Sequence, residues 1–161
     1  MVFHAGSRRV LRPQGQITKV ATFPERDPET ASIVRASGLL AFDDGEVSTF
    51  DVGYTAGVTI MDLQLLGTSG AIYMDDFVVD WTNSFAFKNP DIKTGYFYRT
   101  GMLTRKDVTF ISTPSNTSGE VAMIENFAEM CTSGNAARWN AFAAASLKTQ
   151  EYLDAIWLAA G

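Results

Sequence analysis

Through much of the first two thirds of the chain the sequence is strand-like, beginning with a stretch in which apolar and polar side chains alternate with a period of two. That spacing sets one face of a β-strand on a core and the other in water. Gln16–Phe23 shows it first, with Ile17 and Val20 among Thr and Lys, and the segment meets Pro24. The polar stretch PERDPET, residues 24–30, reads as a loop. Ser32–Phe42 and Val47–Thr55 flank Asp43-Asp44-Gly45, a hairpin signal of the Asp-Gly type. Thr59–Leu66 carries Ile60, Leu63 and Leu65, and Gly67-Thr68-Ser69-Gly70 turns it tightly into Ala71–Met74. Asp75-Asp76 then leads into Phe77–Trp81, and beyond Asn89-Pro90 the pattern predicts strands at Gly95–Leu103 and Val108–Ser112. About eight strands joined by short turns point to one large antiparallel or mixed sheet.

The period then lengthens to that of a helix. Val121, Ile124, Ala128 and Cys131 follow a 3, 4, 3 spacing after Ser118, with Glu120 in the first turn and Gly134 as the stop. Arg138–Ala160 predicts a second, longer helix with Phe142, Ser146, Thr149, Leu153, Ile156 and Ala160 along one stripe. At the opposite end, residues 2–12 (VFHAGSRRVLR) read as a short helix closed by Pro13 and Gly15. The fold class is therefore α+β: a large, mostly antiparallel (mixed) open sheet with helices packed on one face, within a single domain over residues 1–161.

Composition narrows the function. The chain has 161 residues, 46% hydrophobic and 19% charged, which suits an ordinary globular protein rather than a disordered one. A net charge of -5 argues against a nucleic-acid surface, and the basic clusters at Arg8, Arg9 and Arg12 and at Arg105 and Lys106 are short. One cysteine, Cys131, permits no internal disulfide, and one histidine beside it rules out the usual zinc site. No segment has the length of a membrane span or a signal peptide, so the expected location is cytoplasmic.

Candidate chemistry is sparse. Asp75, Asp76 and Asp80 read as turn residues rather than paired catalytic carboxylates or a hard-metal site. Gly67–Gly70 lacks the Lys and following helix of a phosphate loop. Cys131 reads as an inert core thiol. Tyr96 and Tyr98 alternate with Phe97 and Arg99, so one pair faces a core while the tyrosines line either a carbohydrate pocket or a dimer seam. Ser112, Ser115 and Ser118 have no His and Asp partners for a hydrolytic triad.

The block LLGTSGAIYMDDF, residues 65–77, resembles an element of the Gfo/Idh/MocA oxidoreductases, in which a strand ends in a Gly-x-x-Gly turn before an apolar strand and an Asp-rich turn. Gly38…Phe42 and Ser48-Thr49-Phe50 resemble the strand, turn, strand pattern ahead of it. Ile124-Glu125-Asn126-Phe127, Thr149-Gln150 and Leu153-Asp154-Ala155-Ile156 resemble the family's closing helices. The likeness runs in order over roughly residues 15–160 and is nearest to the dihydrodiol dehydrogenase-like branch. It implies the C-terminal domain of an NAD- or NADP-dependent oxidoreductase acting on a sugar, inositol or diol hydroxyl, with the open sheet serving as a homo-oligomer interface. The same likeness places His4 at the substrate hydroxyl with Ser7 one helical turn on, a geometry and pKa suited to proton exchange. Two family features are absent: a G-x-G-x-x-G fingerprint and the catalytic Lys-Pro pair, for which Lys88-Asn89-Pro90 is no substitute. The implied cofactor thus belongs to a Rossmann domain outside this chain, and the chain alone is expected to bind none. A non-catalytic dimerisation or accessory subunit, and one half of a split enzyme, are the alternatives.

Overall fold

The computed structural model describes residues 15–78, 93–101, 108–114 and 116–161, and the backbone of residues 2–5. Its strands are β1 (Val2–Ala5), β2 (Ile17–Arg26), β3 (Ile33–Phe42), β4 (Val47–Gly53), β5 (Leu63–Gly67), β6 (Gly70–Met74), β7 (Gly95–Arg99) and β8 (Val108–Ser112). They form one sheet in the order β2-β3-β4-β1-β5-β6-β7-β8. Every neighbouring pair is antiparallel except β1 and β5, which run parallel, so the sheet is mixed as its pattern predicts. Two antiparallel halves, β2–β4 and β5–β8, are thereby joined through the four residues of β1.

That junction corrects one expectation: residues 2–5 are a strand, not the start of a helix. β1 pairs on both sides, Val2 with Thr49 and with Gln64, so its backbone groups are satisfied by two distant segments at once. Neither neighbour is adjacent in sequence, and a local pattern holds no trace of them. Ser7, expected one turn beyond His4, lies outside the described residues, and a strand at His4 removes the helical spacing that linked the two. β2 also runs past Pro24 to Arg26, which an edge strand tolerates because the missing N–H costs no ladder bond. Phe77 and Val78 lie in a turn instead of opening a strand, and Phe77 N–H donates to the Met61 carbonyl at 2.8 Å. The remainder of that predicted strand is outside the described residues.

The helices are α1 (Gly119–Ser133) and α2 (Ala136–Ala159). Ser118 caps α1 by accepting the Val121 N–H at 3.2 Å, and Gly134 ends it in the left-handed region at φ 62°. Asn135 caps α2 by accepting from Arg138 N–H. α2 lies along β2: Thr22 Oγ1 donates to the Ile156 carbonyl at 3.1 Å, and the Phe42 and Tyr152 rings meet edge-on at 5.5 Å. Its sheet-facing residues are the half-buried Lys148, Tyr152, Ala155, Ile156 and Ala160, one position off the predicted stripe at Leu153, which is exposed. α1 rests on the start of α2, where Trp139 Nε1 donates to the Met130 carbonyl and the Trp139 ring meets Phe127 edge-on. Met130 is the residue α1 buries; Cys131, expected in the core, is exposed.

Register assigns the two sheet faces. Thr22 opposes Gly38 and Gly38 opposes Phe50, so these share the face under α2. The core gathers there, with Ala36, Leu40, Phe42, Phe50, Leu63 and Leu65 buried and Ser48 closely enclosed among them. Following the pairs outward, Leu65 opposes Ile72, and Ile72 opposes Tyr98. Tyr98 therefore stands on the helix-covered side of the sheet plane, and the alternate residues of β5–β8 stand on the other.

Candidate functional site

The face away from α2 holds a cavity of about 910 Å³, within the size range of small-molecule sites. Gln64 and Leu66 of β5, Ala71 and Tyr73 of β6, Phe97 and Arg99 of β7 and Val108 of β8 line it, all from the same set of alternating positions. The Gly67–Gly70 hairpin turn closes one end, and Asp75 another part of the rim. Phe97 stands between Tyr73 and Phe110, with ring centroids 6.3 and 5.1 Å away; Tyr73 and Phe97 form the aromatic floor, and Phe110 backs Phe97 from outside the lining.

Gly70 sets the end of the cavity. A Cβ added there would come within 2.5 Å of the Arg99 carbonyl oxygen, so the turn seats against the last residue of β7 only because it has no side chain. The opposite side is stitched by carboxylates. Tyr73 donates its hydroxyl proton to Asp62 Oδ2 at 2.8 Å, Asp62 Oδ1 accepts the Asp76 N–H at 3.2 Å, and Asp76 Oδ1 accepts the Met61 N–H at 3.0 Å. The Asp75 carboxylate foremost, then Asp62 and partial burial, hold the Tyr73 hydroxyl protonated well above its ordinary value of 10.0. Asp76 thus does what its turn position predicts, bonding local backbone from a positive φ of 46°. Asp80 lies outside the described residues. Among the described residues, no group of three or more His, Cys, Asp or Glu side chains converges to hold a metal ion.

The residues singled out from sequence fall apart in space. Tyr96 and Tyr98 occupy the sheet face opposite Phe97 and Arg99, and neither lines the cavity. His4 is in register with Leu66, a cavity-lining residue, so the backbone of β1 borders the cavity's β5 wall. Ser7 is outside the described residues. Sequence alone passes over Tyr73 and sets Phe97 and Arg99 on a core face, whereas all three line the cavity. What groups them is that alternate positions of β6 and β7 share a face, which becomes readable only once register is known. Comparison with protein-family models, curated proteins and solved structures finds no match to the chain.

Proposed function

We propose that this chain is the substrate-binding and oligomerisation domain of an NAD- or NADP-dependent oxidoreductase acting on a sugar, inositol or diol hydroxyl, working in the cytoplasm. The observation that carries the reading is the cavity on the sheet face that α2 leaves uncovered. Its aromatic floor suits the C–H face of a sugar ring, and Gln64, Thr68 and Ser69 offer amide and hydroxyl groups to ring hydroxyls. His4, in the strand beside Leu66, is the proposed proton-exchanging residue.

A dinucleotide does not fit the described residues of this chain. Its phosphates call for a Gly-rich turn from a strand into a helix. Here α1 follows Thr113–Ser118, and α2 follows the turn at Gly134 directly from α1. The nicotinamide and a catalytic lysine are therefore assigned to a separate Rossmann domain, and no step is routed through them here.

Titration of the ¹⁵N-labelled chain with glucose and with myo-inositol tests the site. Shifts confined to the amides of residues 67–71 and 97–99 are expected; shifts elsewhere, or none up to high millimolar ligand, would overturn the assignment. The rival role as a non-catalytic assembly or accessory subunit draws on the exposed Phe127, Phe142, Trp157 and Leu158 of the helices. It predicts self-association with no polyol response.

A further inference from the structure

Four arginines lie among the described residues, and three have their donor forks engaged. Arg35 reaches both Asp51 carboxylate oxygens, at 2.9 and 2.6 Å. Arg138 bonds Asn126 and Glu129, each at 2.8 Å. Arg26 donates to the carbonyls of Ala31, Ala160 and Gly161. Arg99 alone enters no hydrogen bond or ion pair with the described residues, and among those residues it is the one cationic side chain lining the cavity. The lining carboxylate, Asp75, interacts with the Tyr73 hydroxyl and is among the causes that raise its pKa. A guanidinium is a planar fork of donors, shaped to take both oxygens of a carboxylate. In a chain of net charge -5, a cation that lines an aromatic cavity and has no partner among the described residues offers a seat for a negative group.

We infer that the cavity takes an anionic sugar or polyol, its carboxylate paired with Arg99 and its ring lying on Phe97 and Tyr73. The inference rests on the reading of the cavity as the substrate site and specifies the class of substrate. Arg99 supplies one positive charge while Asp75 also lines the cavity, so a monoanion is favoured over a phosphate dianion, which calls for more positive charge than these residues hold. The seat of Gly70 against the Arg99 backbone fixes the base of the fork at the cavity wall.

Three ligands with one ring decide it: glucose, glucuronate and glucose 6-phosphate, titrated into the full chain and into Arg99→Gln and Arg99→Lys. Arg99 is exposed, so both variants should keep the wild-type far-ultraviolet and amide spectra. Glucuronate is expected to bind about tenfold more tightly than glucose. The advantage should vanish in Arg99→Gln, persist only in part in Arg99→Lys and shrink with added salt, while glucose binding stays unchanged. Equal affinity for glucose and glucuronate would overturn the inference and leave the sugar site standing. So would a glucuronate advantage that survives Arg99→Gln. Preference for the phosphate would overturn the carboxylate assignment, and no binding by any of the three would overturn the site as well.

Discussion

At Gly38 a methyl group would lie 2.3 Å from the Ala21 carbonyl oxygen and 2.6 Å from the Phe50 ring. Gly95 repeats the arrangement on the other sheet face, 2.3 Å from the Ile111 carbonyl oxygen and 2.6 Å from the Phe110 ring. Each aromatic side chain thus covers a glycine on the neighbouring strand, and the backbone behind it has no room to retreat. Gly38→Ala should lower stability by about 1–3 kcal/mol, the usual cost of overfilling a packed site. Gly57→Ala, with nothing within 4 Å, should leave the urea midpoint unchanged or slightly raised. Ala31 carries the opposite mismatch. It sits at φ 58° in the β2–β3 turn, held there because its N–H bonds the Asp27 carbonyl. Relief of about 1–2 kcal/mol of left-handed strain, less the greater freedom of glycine in the unfolded chain, gives Ala31→Gly a net gain of about 0.5 kcal/mol. Thermal melts of Gly38→Ala and Ala31→Gly should therefore move in opposite directions.

The turn after β6 is the element whose electrostatics can be read out directly. Tyr73 keeps its proton in the folded chain because the Asp75 carboxylate and Asp62, which accepts from its hydroxyl, both disfavour the phenolate. A tyrosine that ionises less readily folded than unfolded adds stability that is complete below pH 10.0, its ordinary value. That contribution is withdrawn as alkali lets the unfolded chain release the proton first. Wild-type stability should accordingly fall more steeply with pH above 10.0 than that of Tyr73→Phe, which has no such slope. Phenolate absorbance at pH 11 should show Tyr73 still silent, and Tyr73→Phe should leave that absorbance unchanged. How far such elements were legible in advance differed by kind. The β3–β4 and β5–β6 hairpins, both helix stops and the α+β class follow from contacts a few residues apart, which local spacing encodes. β1 was unreadable because its partners are β4 and β5, and the α2 stripe slipped by one position because Tyr152 packs on Phe42, a distant ring. The cavity depended on register across four strands, so Tyr73, Phe97 and Arg99 meet only in three dimensions, whereas Tyr96 and Tyr98 attract notice as tyrosines yet face the other way.

For the molecule as a whole, the side of the helices away from the sheet remains apolar. Trp157 is 65% exposed and Leu158 79%, with Phe142, Leu147 and Leu153 also open to solvent. Surface of this kind is ordinarily covered by another protein surface. Light scattering on the chain at micromolar concentration should report dimers or larger assemblies; a monodisperse monomer would count against the proposed oligomer. No helix among the described residues is long and apolar enough to cross a membrane. A different kind of partner exchange follows from β1. The two half-sheets zip up from neighbouring segments, but residues 2–5 must reach across to residues 64–67, and so late closure of a long loop gates completion of the sheet. Until then the slot between β4 and β5 stands open to the same four residues of any other copy, making folding here concentration-dependent and strand donation between chains its natural failure.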